Sequence, residues 1–231
     1  MKELLKNEKY LHWPIISICH FAKRIGEVSV SPQTWYKYNR IFQLRKSALI
    51  YKKPRYGGIV ANFPNQYWHA DITIYKTEDQ VKHFIYLVCD NFSRKILSWD
   101  ISKTVSATMR LTTLKEAYGQ IQTNDNIKLI VDGGPENNNK LISNFINSTE
   151  NRISKYIALK DISFSNSMIE ATNKILKYRY LFPKHIANGK ELRKVLKKSI
   201  YDFNNIRPHG KLNGLTPDEA YSGKIEYFIL K

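Results

Sequence analysis

The sequence predicts an α/β protein: a mixed five-stranded sheet flanked by helices, preceded by a small helical segment. Three observations lead there. Between Gln66 and Leu159, five short runs rich in β-branched and aromatic residues alternate with helical patterns. The first three runs follow one another through short polar turns, as an antiparallel meander does. The fourth and fifth are reached through helices, which makes the order α/β and the sheet mixed. Upstream of Gln66 the apolar period is helical.

That upstream part comes first in chain order. Ile15, Ile18, Phe21, Ala22 and Ile25 recur at helical spacing, and Gly26 stops the run. Ser31-Pro32 then offers an N-cap and a proline at the first helical position for a second helix over 33–40. Two helices about a glycine-containing turn, the second rich in Gln, Thr, Lys and Arg, fit a helix-turn-helix presenting Lys37 and Arg40 to DNA. A plain helical hairpin fits the same pattern. Residues 1–44 are assigned to this segment, and 45–65, punctuated by basic residues, Pro and Gly, to a linker that touches phosphates or is simply solvated.

The strands are expected at 68–75, 82–90, 95–101, 127–131 and 154–159, and the helices at 106–120, 141–146, 167–181 and 191–204. Together they make a core over 66–221, followed by a tail over 222–231. No apolar run approaches the roughly 20 residues that span a bilayer. The start Met1-Lys2-Glu3-Leu4-Leu5-Lys6 lacks the features of a signal peptide. Cys19 and Cys89 are too few and too far apart for a disulfide framework or a zinc cluster. A soluble cytoplasmic protein without a membrane partner is expected.

Charge narrows the function. Thirty-seven Lys and Arg against twenty Asp and Glu leave +17, which favours a polyanionic partner, most often nucleic acid. An AT-rich genome, which raises Lys and Asn everywhere, would also raise the count. The excess is concentrated: residues 1–60 hold twelve basic and three acidic side chains, and 151–211 hold fourteen and four.

Three carboxylates stand out against this background. Asp71 lies inside a β-branched run, where a charge needs a partner, a metal or an exposed edge. Asp132 ends the run Ile127-Lys128-Leu129-Ile130-Val131 and opens the turn Gly133-Gly134-Pro135-Glu136-Asn137. Asp-Gly is also a common turn dipeptide, so this signal is weak by itself. Glu170 falls in the first turn of a helix capped by Asn166 or Ser167. Three acids on three elements that converge would form a hard-oxygen site for Mg²⁺ or Mn²⁺. Two such ions activate a water or a 3′-hydroxyl for in-line displacement at a phosphodiester. Glu136 reads as a turn residue rather than a fourth ligand.

These contexts carry a resemblance. Trp68-His69-Ala70-Asp71-Ile72-Thr73, Asp132-Gly133-Gly134-Pro135-Glu136-Asn137 and Ser167-Met168-Ile169-Glu170 resemble the D-D-E triad of the retroviral-integrase-like transposases of bacterial insertion sequences, with 37 residues between Asp132 and Glu170. The tail from Tyr201 through Asn204, Arg207, Pro208 and His209 to Leu215, Pro217 and Ala220 resembles the family's Y-N-x-x-R-P-H…L-x-P-x-x-A signature. The glycine-rich loop often found before the glutamate is replaced by Asp161-Ile162-Ser163-Phe164-Ser165-Asn166. The resemblance implies a ribonuclease-H-like fold and a DNA transposase cutting and joining strands. Asp71, Asp132 and Glu170 would hold two metal ions, and Lys174, Lys177 and Arg207 would hold DNA phosphates. His209 would contact phosphate or support its loop. The protein would act as a homo-oligomer on DNA ends. A metal-dependent nuclease of the same fold, or an inactive DNA-binding relic, would share many of these features.

Overall fold

The computed structural model describes residues 1–45, 58–121, 126–162 and 166–223. Most of the expected 45–65 linker, the loop 163–165 and nearly all of the 222–231 tail lie outside them. The chain divides into two compact units, Met1–Arg55 with Tyr201–Lys231, and Tyr56–Ile200.

The first unit is helical. It contains α1 (Lys2–Lys6), a 3₁₀ turn at Glu8–Tyr10, α2 (Ile15–Arg24) and α3 (Pro32–Ile41). Helix α2 ends as its sequence dictates. Gly26, at φ +73°, donates to Lys23 O and Glu27 N donates to Ala22 O, the paired bonds of a Schellman motif. Ser31 caps α3 by accepting from Thr34 N, with Pro32 at the first position. Leu5, Tyr10, Trp13, Ile18, Ala22 and Trp35 form the core of this unit.

The end of the chain joins the same unit. After a π-helical turn at Asp202–Ile206 and a 3₁₀ turn at Gly210–Leu212 comes α8 (Pro217–Ser222). The Asp202 carboxylate accepts from the Trp13 indole N–H at 3.0 Å and lies 3.1 Å from His12 Nε2. Arg24 forms a bidentate ion pair with Glu219. The tail residues expected at the end of the core therefore pack with the N-terminal helices, held by polar contacts some 190 residues apart in sequence. Glu219 also completes a capping box with Thr216. Thr216→Ala is expected to cost about 1 kcal/mol, read as a lower denaturation midpoint at unchanged slope. An unchanged midpoint would show that the box does not hold this end of the chain.

The second unit carries the sheet: β1 (Tyr67–Lys76), β2 (Lys82–Asp90), β3 (Ile96–Ser102), β4 (Ile127–Val131) and β5 (Ile153–Ile157), in spatial order β3-β2-β1-β4-β5. The meander β1-β2-β3 is antiparallel, and β4 and β5 add in parallel. Helices α4 (Ala107–Tyr118) and α5 (Lys140–Ser148) pack together, α4 against β2 and β3. Helix α6 (Ser167–Ile175) packs on β1. It widens into a π-helical stretch at Leu176–Leu181, and α7 (Gly189–Tyr201) follows. Trp68, Ala70, Tyr86, Val88, Leu129, Val131, Ile169 and Leu181 are fully or almost fully buried around the sheet. No helix among the described residues is long and apolar enough to cross a membrane.

Candidate active site

The parallel pairing of β1 and β4 runs Tyr67↔Lys128, Trp68↔Leu129, His69↔Ile130 and Ala70↔Val131, and then β4 stops. The next rung would match Asp71 with Asp132, so the two acids stand beside each other where β4 ends. Asp132 opens its turn at the carboxyl end of β4, the edge where open α/β sheets gather ligands. Glu170 lies in the first turn of α6, which packs on β1. Three residues along the same helix, Asn173 donates its amide to Asp71 Oδ2 at 2.6 Å. The Ile72 N–H binds the other oxygen, Oδ1, at 2.7 Å.

This arrangement concentrates negative charge. Burial pushes the Asp71 carboxyl up to about 6; the Ile72 N–H opposes that shift, Asp132 adds to it, Arg110 opposes it and Glu170 adds to it. Three hard carboxylates in one mutually repelling group suit a divalent cation such as Mg²⁺ or Mn²⁺, which would relieve the repulsion. Among the described residues, no three His, Cys, Asp or Glu side chains stand close enough together to hold one ion as they are. Glu170 is exposed on α6, and drawing it toward the aspartates would complete the set.

The turn after Asp132 is held by asparagines, which gives the Asn137-Asn138-Asn139 run a role. Asn137 donates to Asp132 O at 3.1 Å, and Asn139 donates to Pro135 O and Glu136 O, both at 2.9 Å. Asn139 also caps α5 by accepting from Ile142 N. Lys155 on β5 closes the turn through Asn137 O and Asn138 Oδ1. Glu136 accepts from Asn137 Nδ2 and folds over Gly134, where any Cβ would collide with its carboxylate. It is a turn residue.

Four residues important to the site were not singled out from sequence for these roles. Asn166 bonds Asp132 Oδ1 at 3.2 Å, His69 bonds Asn166 at 2.7 Å, and Asn173 bonds Asp71. Arg110 of α4, with no exposed surface, donates to Leu87 O at 3.2 Å and lies over the Tyr86 ring at 5.2 Å. Burial lowers its pKa to about 10, offset in part by Asp71, Glu136, Tyr86 and Asp132, so it is a buried counter-charge to the acids. Periodicity did offer a signal for two of them. Asn173 lies at i+3 from Glu170, and His69 at i−2 from Asp71 on the same strand face.

The basic candidates separate. Lys174 is exposed on α6, and Lys177 is half-buried with its ammonium 5.9 Å from the Phe182 ring. Lys37 and Arg40 are exposed on α3. Arg207, expected at DNA phosphates, is only 2% exposed, stacked on Phe203 at 4.7 Å and donating to His209 Nε2 at 3.0 Å. Its guanidinium is used in packing the helical unit, because the chain around it folds back onto the π-helical turn. His209 meets Phe203 edge-on at 4.7 Å, a loop-supporting position.

A mixed five-stranded sheet of this order, flanked by helices and with paired acids near its central strands, is the ribonuclease-H-like architecture. Models of the integrase core domain match residues 61–163 and 163–217. The chain belongs to the integrase core family. It is 26% identical over 157 residues to a transposase-like protein of Haemophilus influenzae, covering 68% of this chain and 71% of that one. It is 24% identical over 160 residues to the transposase InsF of insertion sequence IS3A from Escherichia coli, covering 69% of this chain and 54% of InsF, so it spans about half the length of that relative. The fold is similar to the catalytic core of HTLV-2 integrase at a TM-score of 0.55 and 20% identity, covering 69% and 98% of the two chains. It is also similar to a chain of the simian T-cell lymphotropic virus intasome at 0.60 and 17%, covering 94% and 74%.

Proposed function

We propose that the protein is a DNA transposase of the insertion-sequence type, cutting element ends and joining them to target DNA. The observation that carries this reading is the placement of Asp71 on β1 opposite Asp132 at the end of β4, with the helix bearing Glu170 packed on β1, in a chain of the integrase core family. The relatives named as transposases support the same activity. Asp71, Asp132 and Glu170 would hold two Mg²⁺ or Mn²⁺ ions; the HTLV-2 core of similar fold was solved in complex with magnesium. When bound, such ions lower the barrier to attack by water or a 3′-hydroxyl and offset charge on the leaving oxygen.

The chain's own residues supply the rest. Asn173 and the Ile72 N–H hold Asp71, and Asn166 holds Asp132, so both carboxylates are oriented before substrate arrives. Lys174 and Lys177, one and two turns beyond Glu170, would bind phosphates of the cleaved strand as point charges, and Lys37 and Arg40 would bind phosphates through α3. Such transposases act on paired ends, which makes a homo-oligomer on DNA the working form.

The test uses the full chain, Mg²⁺ and duplexes copied from the DNA bordering the coding region. Asp132→Asn is expected to abolish cleavage and joining, while retaining DNA binding by mobility shift. Joining by Asp132→Asn would refute the site. Cut ends without joined products from the wild type would instead indicate a nuclease, and binding without either product an inactive relic.

A further inference from the structure

We infer that Asn91, His69 and Asn166 form a polar relay that fixes the orientation of the Asp132 carboxylate and ties it to the segment entering the sheet unit, with His69 and Asn166 as positioning residues. The inference rests on the metal-binding role proposed for Asp132. All three side chains are buried: Asn91 is 0% exposed, His69 1% and Asn166 2%.

Two backbone groups, one at each end, settle every donor and acceptor between them. The Ala61 N–H can only donate, and it donates to Asn91 Oδ1 at 2.9 Å. The Asn91 amide nitrogen is therefore Nδ2, which donates to Ile59 O at 3.2 Å and to His69 Nε2 at 2.9 Å. An accepting Nε2 puts the His69 proton on Nδ1, which donates to Asn166 Oδ1 at 2.7 Å. The Asn166 amide nitrogen then donates to Ala70 O, which can only accept, and to Asp132 Oδ1, both at 3.2 Å. The polarity is consistent at each step without an ambiguous amide flip. A relay that reaches an Asp of a proposed metal site only as a donor supports its charged form and leaves its other oxygen available to a cation.

This geometry makes the strand face of His69 more than packing. An imidazole fully committed to two amides cannot serve as a metal ligand or a proton shuttle, and its contribution passes through Asn166. Ile59 and Ala61 lie within the last part of the expected 45–65 linker, so the entry of the chain into the sheet unit and the orientation of Asp132 are mechanically joined.

Two measurements on the full chain test this. In metal-free protein, a long-range ¹H–¹⁵N spectrum of labelled histidines, with His69 assigned by its loss in His69→Leu, should show the Nδ1–H tautomer. The Nε2–H tautomer would overturn the relay. Mn²⁺ binding followed by electron paramagnetic resonance should weaken about 10- to 100-fold in Asn166→Ala and in His69→Leu. The double variant should bind no worse than Asn166→Ala alone, because the relay is already broken. Losses that multiply independently, or wild-type affinity in both folded variants, would overturn the relay. If Asp132→Asn binds Mn²⁺ as well as wild type does, the metal reading of the site fails instead, and the tautomer decides the relay alone. The tautomer likewise decides it should the variants not fold.

Discussion

Replacing Asp71 by asparagine is expected to abolish strand cleavage while making the metal-free protein more stable at pH 8. The carboxyl is held up to about 6 by burial and by Asp132 and Glu170, well above the ordinary 3.8. A raised carboxyl favours the folded state below its unfolded value, and that advantage is lost as pH rises through about 6. Two pKa units correspond to about 3 kcal/mol, and the residual exposure of Asp71 brings the expected gain to about 1–2 kcal/mol. Asn173 can accommodate the change, because its Oδ1 is buried without a hydrogen-bond partner among the described residues and would accept from the new amide. His69 has the opposite sign. Burial depresses it from 6.5 to about 4, so its contribution is present above 6.5 and lost as pH falls through about 4. In chelator, the two slopes oppose each other between pH 4 and 6.5, and the wild-type midpoint should vary little there. Asp71→Asn should unmask a midpoint that rises with pH. Adding Mn²⁺ at pH 8 should stabilise the wild type and leave the variant unmoved. A variant less stable than wild type at pH 8 in chelator would mean that the acidic group is not strained.

The second large effect belongs to the helical unit. Trp13 is 1% exposed, packs against Tyr10 at 4.8 Å and Phe21 at 5.5 Å, and donates to Asp202. Trp13→Ala removes a buried aromatic and leaves Asp202 short of a donor, a loss of about 3–5 kcal/mol. Hydrogen exchange is the direct readout. Amides of α2, α3 and α8 should lose protection together while β1, β2 and β4 keep theirs. Equal loss across the strands would show that the helical residues have no separate stability.

The five strands and the longer helices were legible because period and β-branching report burial on one face, and each lies within a few residues of its expected position. What was not legible came from contacts that leave no local trace. Helices expected over 167–181 and 191–204 end in π-helical turns at Leu176–Leu181 and Asp202–Ile206, since an apolar stripe does not distinguish i+4 from i+5 bonding. The tail beginning at Tyr201 grouped with the N-terminal helices because Arg24 and Trp13 find acids far along the chain. Within the site, Asp71 was visible as a charge inside a β-branched run, and Asp132 and Glu170 through their contexts in the D-D-E pattern. Asn166, Asn173 and His69 were not, since a neutral amide or imidazole in a helix or strand is unremarkable until its partner is known. Arg207 failed in the other direction: a cation in a basic segment reads as surface, and here it is buried.

The pairing of β1 with β4 has a consequence for how such a chain can vary. Glu170 is brought to the site by α6 lying on β1, so the number of residues between Asp132 and Glu170 is a loose parameter that loops can absorb. The position of Asp71 obeys parity. Strand side chains alternate, so one residue inserted between His69 and Asp71 would turn the carboxylate to the opposite face of the sheet, whereas two would return it to the same face two rungs further along. Length is negotiable across most of this fold, and oddness is forbidden over one short stretch of β1.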